Sequence, residues 1–356
     1  MTYVDKTKMA HHDIEPLPNG NILLMALEKK SFEEAYQAGA NPLYLEKSSY
    51  TRLKLVPPEY IIEVERIGSA SYNVVWEWHI WDHLIQDFDP TKSNYGNPKE
   101  HPELLDINGT SFKGTALWNH GNSIDYNHEF EQIVLDCANN GEFYVIDATT
   151  TTEEAKGHTG GKYGKGGDLL YRWGNPRMYM AGTPNDRALY GQHDANWVPK
   201  GYPGEGNIMV FNNGARGSGH SSVVEINPPV NVKGFYTIPK TGDAFAPAKP
   251  AWTYIADPPS SLHSTKISSA RRLPNGNTLI CDGQHGRFIE VTEDKETVWE
   301  YVNPVAGAGP LKSGEVLFDQ KGHQMNSVFH VQRFAPDYPA FKDKNMTPIL
   351  DTLIAQ

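Results

Sequence analysis

The sequence has little of several features that would point to familiar protein classes. Its 356 residues include two cysteines, Cys137 and Cys281, which are too few for a disulfide framework and lack the C-x-x-C spacing of a redox or zinc motif. Each lies in an apolar run, and we interpret both as small buried hydrophobic residues. No stretch approaches the roughly 18 apolar residues that a membrane-spanning helix needs. We therefore expect neither a disulfide scaffold nor a membrane span.

An excess of positive charge is also missing. The chain carries 43 acidic and 32 basic side chains, a formal charge of −11, and it has no basic patch to hold a polyanion. We therefore do not expect nucleic acid as a partner. The first residues lack the apolar region of a secretory signal, so the expected location is periplasmic or secreted if a signal peptide was removed, and otherwise cytoplasmic. The composition leaves the oligomeric state open.

Long stretches with helical periodicity are scarce, whereas glycine (32 residues) and proline (25 residues) are dispersed along the chain. Short segments rich in β-branched and aromatic residues recur between these turn residues. This pattern predicts an all-β protein. The predicted strands include 21–27, 60–67, 73–78, 130–137, 142–146, 207–211, 222–226, 277–281, 287–291 and 297–301.

A repeated motif indicates how the strands are grouped. The segment Leu-Pro-Asn-Gly-Asn occurs at 17–21 and again at 273–277, each time before an apolar strand, and 204–207 precedes a third such strand. Asn-Gly is typical of tight turns between strands because both residues tolerate positive φ. The two copies are separated by five steps of about 51 residues, close to the roughly 40–50 residues of a four-stranded propeller blade. We predict a single domain over residues 1–356, a six-bladed β-propeller with four-stranded blades and long inter-strand loops.

Aromatic pairs separated by one residue mark the ends of these units. We interpret them as parts of outer strands, whose rings fill the wedge between neighbouring blades. The pairs are Trp76 and Trp78, Tyr171 and Trp173, and Trp299 and Tyr301.

Histidines fall at one phase of the repeat, just before the first strand of most units. They are His12, His120, His193, His263 and His323. First strands line the central channel of a propeller, so these side chains are predicted to converge on one mouth of it. His79 and His83 are candidates for the remaining blade. Asp13 and Asp194 each follow a channel histidine, and we expect at least one of them to orient an imidazole or to support a bound cation.

A ring of imidazoles is compatible with several functions. Protonated rings bind anions, neutral rings act as nucleophiles or as acids and bases, and neutral rings also ligate metals. One hypothesis is therefore a metal-dependent propeller enzyme with Fe, Cu or Zn in the central channel, held by His12, His120, His193 and His263. Another is a non-catalytic propeller that binds a partner across its face, in which duplicated blades merely inherited the histidine.

Three glycine-containing loops are further candidates. Arg216 lies in segment 211–217, directly after a predicted strand, where its planar fork is suited to hold a tetrahedral oxyanion. His285 lies in segment 282–287, between two predicted strands and among small residues that leave room for a substrate. The glycine-rich segment 157–167 lacks the order of a phosphate-binding loop, so we interpret it as a surface or lid loop.

The segments 120–126, 192–197, 211–217 and 282–287 resemble, in this order, the PAPS-independent arylsulfotransferase family of bacteria. The resemblance extends from about residue 12 to residue 335. It implies a six-bladed propeller enzyme that transfers a sulfuryl group from an aryl sulfate to a phenolic acceptor. In that family a channel histidine is transiently sulfated, and the reaction requires no cofactor.

The resemblance also implies roles for particular residues. Matched by motif and order, His285 is the implied nucleophile, and His120, His193 and Arg216 are the groups that hold the sulfuryl oxygens. The substrate is a small aromatic molecule, which we expect to bind at Trp197, Trp118 and Asn213.

Overall fold

The structure is a computed structural model that describes residues 8–45, 54–68, 71–109, 118–214, 218–307, 309–311 and 317–346. Its described residues contain four antiparallel sheets of four strands, and in each sheet the strands lie side by side in chain order. The first sheet contains Lys8–Pro16, Ile22–Glu28, Glu59–Ile67 and Ser71–His79; the second Gly121–Asn127, Gln132–Cys137, Glu142–Asp147 and Tyr171–Trp173; the third His193–Trp197, Ile208–Asn212, Ser222–Ile226 and Trp252–Tyr254; and the fourth Ser269–Arg272, Thr278–Asp282, Arg287–Val291 and Thr297–Val302. The prediction of an all-β protein is confirmed.

Short elements fill the connections between the sheets. Two-residue strands pair Lys30–Ser31 with Leu55–Val56, Leu84–Ile85 with Leu105–Asp106, and Val305–Ala306 with Gly309–Pro310. The α-helices are Phe32–Gln37, Pro42–Leu45 and Thr152–Ala155, and the 3-10 helices are Ile80–His83, Pro176–Tyr179, Pro184–Asp186, Pro259–Ser261, Gly283–His285 and Pro339–Phe341. None of the helices described is long and apolar enough to cross a membrane.

The hydrophobic core lies between successive sheets. Side chains alternate between the two faces of a strand, so Leu23 and Met25 face the second sheet while Leu24 and Ala26 face the other side. One buried cluster joins the first and second sheets, another joins the second and third, and another joins the third and fourth. Face-to-face packing of successive four-stranded sheets, with their first strands in contact, is the arrangement of propeller blades.

The aromatic pairs of the outermost strands behave differently along the chain. Trp78 is fully buried between the first and second sheets, and Trp173 is 5% exposed between the second and third, as predicted for rings that fill the wedge. In the fourth sheet Trp299 is 41% exposed and Tyr301 is 43% exposed. The prediction that these aromatics are covered is wrong for the fourth sheet, because no further sheet within the described residues packs on its outer strand.

The repeated Asn-Gly motif forms the turn between the first and second strands of a sheet. Gly20 and Gly276 have φ of +86° and +87°, which favours glycine. In the first copy, the side chains of Asn19 and Asn21 both donate to Glu63 of the third strand, at 3.0 and 2.6 Å. Equivalent bonds join Asn275 and Asn277 to Glu290, and Asn207 to Glu225. The motif therefore fixes the turn and also ties it to the third strand.

The number of steps between the two copies differs from our prediction. They lie in the first and fourth of the four-stranded sheets that the described residues form, so three steps, and not five of about 51 residues, separate them there. The steps are longer because extended connections separate the sheets, notably between Ile85 and Gly121 and between Trp173 and His193. A count of six blades and a single domain over 1–356 stay predictions.

Aspartates connect the first strands of neighbouring sheets. In each case a carboxylate oxygen accepts a hydrogen bond from a backbone N–H of the next sheet: Asp13 from Ile124 at 3.1 Å, Asp125 from Trp197 at 2.7 Å, and Asp194 from Ala270 at 3.1 Å. Asp194 also forms an ion pair with Arg271 at 2.7 Å. Among the described residues, neither Asp13 nor Asp194 is hydrogen-bonded to an imidazole, so the hypothesis that one of them orients a channel histidine is wrong.

Candidate active site

Three of the predicted channel histidines come together where the first strands begin. The rings of His12 and His120 are 5.0 Å apart, edge to face, and Phe329 lies 5.9 Å from His12 and 6.4 Å from His193. The strand register is irregular at this point in the first three sheets, and His12 and His120 have φ of +56° and +51°. These bulges turn the side chains toward one another. Together with the neighbouring His11, they form what we call the histidine cluster: His11, His12, His120 and His193.

A buried carboxylate orients two members of the cluster. Glu59, which is 1% exposed, accepts a hydrogen bond from Nε2 of His11 at 2.7 Å. Nδ1 of His11 then faces Nδ1 of His12 at 2.5 Å. With the proton of His11 on Nε2, its Nδ1 accepts from His12, and the lone pair of His12 is left on Nε2. The chain Glu59–His11–His12 therefore leaves an unprotonated nitrogen, Nε2, on His12.

His193 is held by hydrogen bonds at both ring nitrogens. Its Nδ1 donates to the side-chain oxygen of Asn213 at 2.8 Å, and Nε2 accepts from the backbone N–H of Ile267 at 3.1 Å. Asn213 is itself saturated, because its amide donates to the carbonyls of Ser264 and Ile267. In this arrangement Asn213 positions His193 and does not face a substrate, contrary to the role we predicted for it.

Three rings of the cluster, His12, His120 and His193, are neutral near pH 7. Burial, together with the neighbouring histidines, lowers the pKa of His12 to about 3. Burial likewise lowers the pKa of His193 to about 4 and lowers the pKa of His120 below its usual value. These rings therefore supply lone pairs and single N–H donors, and a positive charge for an anion has to come from another group.

His285 lies at the same end of its sheet as the beginning of the first strand. His285 is the last residue of the 3-10 helix Gly283–His285. The backbone N–H of Gly283 donates to the hydroxyl of Ser268, and the preceding residue, Ile267, donates its N–H to His193. Nδ1 of His285 is 2.8 Å from a carboxylate oxygen of Asp282, which is 2% exposed, whereas the imidazole is 42% exposed. Asp282 therefore keeps the proton on Nδ1, and Nε2 carries the lone pair.

The other predicted histidines lie apart from the cluster. His323 is 72% exposed and bonds Asp319 at 2.9 Å. His79 lies in an outer strand and bonds Glu28 and Glu77, and His83 is buried elsewhere. Within the described ranges, half-buried His263 makes no ring contact with the cluster. Of the five histidines predicted to share one channel mouth, His12, His120 and His193 lie together, whereas exposed His323 does not contact them among the described residues. That the three face a central channel stays a prediction.

The predicted aromatic and cationic groups are placed as follows. Trp118 is 3% exposed and packs edge-on against Trp81 in the core, so it is not presented to a substrate as we expected. Trp197 lies four residues after His193 in an extended strand, about 13 Å away. It lines a cavity of about 510 Å³ with Asp125 and Arg271. Arg216 lies outside the described residues.

The metal hypothesis for the channel finds little support in this geometry. His12, His120, His193 and His263 do not bring ligating atoms together closely enough to form a metal-binding group among the residues described. The group of three that does meet this condition is His83, His158 and Asp168, outside the cluster.

Sequence reasoning missed His11 and Glu59. His11 stands directly beside His12, and this adjacency was a signal that could have been used. Glu59 offered no local signal, because the third strand of the sheet brings it to the cluster from 48 residues away.

The structure is similar to several solved structures. A protein of unknown function from Bacteroides caccae is 11% identical, with a TM-score of 0.38, and covers 83% of this chain and 68% of that one. A streptogramin B lyase is 8% identical, with a TM-score of 0.35 and coverages of 85% and 57%, and a protein of unknown function from Dyadobacter fermentans is 13% identical, with a TM-score of 0.37 and coverages of 85% and 66%.

The search of curated proteins finds no match. The sequence model of the family described as Arylsulfotransferase (ASST) does match, over residues 3–326, and the chain belongs to this family.

Proposed function

We propose that the chain transfers a sulfuryl group from an aryl sulfate to a phenol through a sulfohistidine at His285. Membership of the arylsulfotransferase family supports the reaction class. The observation that carries the assignment of the nucleophile is the pair of buried Asp282 and half-exposed His285, joined at 2.8 Å. A carboxylate on one nitrogen of an imidazole directs the lone pair of the other toward the substrate.

The proposed reaction has two displacement steps. Nε2 of His285 attacks the sulfur, an N–S bond forms, the S–O bond to the aryl group breaks, and a phenolate leaves. The oxygen of the second phenol then attacks the sulfur, the N–S bond breaks, and the proton of this phenol passes through solvent to the released phenolate. The sulfuryl group moves without a change in oxidation state, so the reaction requires no cofactor.

The oxygens of the sulfuryl group need donors that are fixed before the reaction. His120 is neutral and has one N–H to donate. Arg216 is proposed to supply the positive charge, because the rings of His12, His120 and His193 are neutral. His193 would have to give up its bond from Ile267 to donate through Nε2, so we assign it a positioning role.

His12 is the alternative nucleophile for the same reaction. Its Nε2 carries a lone pair, the Glu59–His11 pair orients it, and its low pKa keeps it neutral. Mass spectrometry that identifies which peptide carries the sulfuryl adduct distinguishes the two assignments.

The test is incubation of the protein with 4-nitrophenyl sulfate and phenol. We expect release of nitrophenolate and formation of phenyl sulfate, with a sulfuryl adduct on the peptide that contains His285. His285→Ala should abolish turnover and adduct, and Arg216→Ala should lower the rate by about 10²–10³ because one oxyanion donor is lost.

His101→Ala is the matched control, because His101 also forms an imidazole–carboxylate pair, with Glu103, but at a half-exposed position in the connection between the first and second sheets. This variant should retain full activity. Full activity in His285→Ala contradicts the assigned nucleophile, and an adduct on His12 moves it. Absence of any sulfuryl transfer by the wild-type protein, with a range of aryl sulfates, contradicts the proposed function itself.

A further inference from the structure

A second group of histidines lies outside the histidine cluster, beside the glycine-rich loop. Nδ1 of His83 is 2.9 Å from a carboxylate oxygen of Asp168, and Nδ1 of His158 is 2.8 Å from the same oxygen. The possible ligand atoms of the three residues all lie within 4.8 Å of one another. We propose that His83, His158 and Asp168 bind a divalent transition metal, with Zn²⁺ the best match to their chemistry.

In the hydrogen-bond arrangement of His83, no hydrogen atom lies between its Nδ1 and the carboxylate of Asp168. Its Nε2 is 2.8 Å from the carbonyl oxygen of Ala155, which can only accept, so Nε2 carries a proton. In the neutral ring the lone pair on Nδ1 then points at the negatively charged oxygen of Asp168. A cation between these two atoms removes the repulsion. A metal-ligating histidine commonly donates its other N–H to a carbonyl, as His83 does to Ala155.

The loop is constructed to bring the other two ligands together. The N–H of Gly167 donates to the carbonyl of Gly157 at 3.0 Å, and this bond places the next residues in the chain, Asp168 and His158, side by side. A Cβ atom on Gly167 would lie 2.1 Å from the carbonyl oxygen of Ala155 and 2.5 Å from Nε2 of His83. Glycine is therefore required for the close approach of the loop to His83.

The ring of His83 is also fixed from its other face. It stacks on Trp78, with ring centres 5.6 Å apart and an angle of 8° between the planes. The indole N–H of Trp78 donates to the carbonyl of Gly167 at 2.7 Å. One ligand is thus immobile in the core, while His158, with 59% of its side chain exposed, can adjust by the few tenths of an ångström that metal bonds of about 2.0–2.2 Å require.

The ligand set and its exposure indicate the metal and its role. Two imidazole nitrogens and one carboxylate oxygen suit Zn²⁺, and the exposed side leaves a fourth, tetrahedral position for water. The metal would clamp segment 157–168 onto the 3-10 helix Ile80–His83. The proposed metal site is independent of sulfuryl transfer, so the experiment that tests it does not measure enzyme activity.

The experiment is calorimetric titration of the EDTA-treated full chain with Zn²⁺, supported by the visible absorption of Co²⁺ as a probe of coordination. We expect one equivalent to bind and to protect the lysines of the glycine-rich loop from trypsin. His158→Ala should weaken binding at least tenfold and remove the protection. Because His158 is exposed, this variant should fold, which circular dichroism checks.

His101→Ala is the matched control, since His101 is a half-exposed imidazole 3.1 Å from Glu103 in a pair without a third ligand. It should bind Zn²⁺ like the wild type. Failure of the wild-type chain to bind Zn²⁺ or Co²⁺ overturns the proposal. Equal binding by wild type and His158→Ala also overturns it, and loss of that binding in His12→Ala would place the metal in the histidine cluster instead.

Discussion

Burial lowers the pKa of three residues in the histidine cluster, His12, His120 and His193. His193 shows this most clearly, because it is 7% exposed and both of its nitrogens are bonded to neutral groups. A second proton on this ring would break the bond from Ile267. The folded protein therefore resists protonation of a residue that the unfolded chain protonates easily.

This difference predicts a loss of stability in mild acid. The pKa of His193 is about 4 in the folded protein, against 6.5 for an unperturbed histidine. Between pH 4 and pH 6.5 the unfolded chain therefore binds more protons at this residue than the folded protein does. The free energy of unfolding should fall as the pH drops from about 6.5 to about 4, and His12 and His120 act in the same direction. Urea denaturation at pH 7 and pH 4.5 measures the drop.

The variant His193→Gln should show a smaller drop, because it removes one of the three titrating rings while keeping a side chain that donates and accepts. His323→Gln, at an exposed site, should match the wild type. An equal drop in His193→Gln would mean that the ring does not titrate with folding.

The sequence predicted the positions of the cluster better than the roles of its members. A shared phase in the repeat was enough to group His12, His120 and His193, because first strands begin at the same end of each sheet. The roles depend on partners from distant segments: Glu59 for His11, and Asn213 for His193. Such partners leave no periodic signal in the sequence.

At the scale of strands, the aspartates that join neighbouring first strands are the features most open to test. Asp194 makes two contacts with the fourth sheet. Its Oδ2 accepts a hydrogen bond from the backbone N–H of Ala270, and its Oδ1 forms an ion pair with Arg271. Its φ of +58° lies in the left-handed region, which aspartate and asparagine tolerate better than most residues.

We expect Asp194→Ala to destabilise the fold by about 3 kcal/mol, because it leaves the partly buried guanidinium of Arg271 without this carboxylate and the N–H of Ala270 without its acceptor. Asp194→Asn should cost less, since the amide oxygen can still accept from Ala270 and asparagine tolerates the backbone conformation. Urea denaturation of both variants gives the comparison. Equal losses would show that the ion pair with Arg271, and not the link to Ala270, dominates.

Strand-level features were predictable where they depend on local chemistry. The Asn-Gly turns lie where the motif predicted them, between first and second strands. The links between sheets were not predicted, because an aspartate that accepts a backbone N–H has the same sequence signature as one beside a histidine.

For the whole molecule, the covering of aromatic side chains distinguishes the fourth sheet from the others. Trp173 is buried in the cluster between the second and third sheets and donates to the carbonyl of Pro247 at 2.7 Å. Trp299 is 41% exposed; among the described residues its ring stacks on Tyr301 of the same strand and lies under the guanidinium of Arg333.

We expect Trp173→Ala to lower the free energy of unfolding by about 3–5 kcal/mol, because it opens a cavity between two sheets. Trp299→Ala should cost less, about 1–2 kcal/mol, because 41% of its surface stays in water and no sheet within the described residues packs over it. Thermal and urea denaturation of the two variants provide the measurement. Comparable losses would indicate that another part of the protein covers the fourth sheet.

The overall architecture was only partly accessible from the sequence. Strand composition and turn residues were sufficient to predict four-stranded antiparallel units, because these are local properties. The number of units required the assumption that each step has the same length, and the connections around Pro176–Tyr179 and Ile80–His83 violate it. Insertions of this kind carry no repeat of their own.

The aspartate links between sheets also have a consequence for the rate of folding. They join residues 111, 72 and 76 positions apart in the chain. Each link forms only after a long loop has closed, and the entropy lost in that closure is not recovered until the strands on both sides are in register. Proteins dominated by such distant contacts fold slowly. The chain should therefore refold slowly. While it refolds, the face of the second sheet that packs on the third stays uncovered until the third sheet has formed.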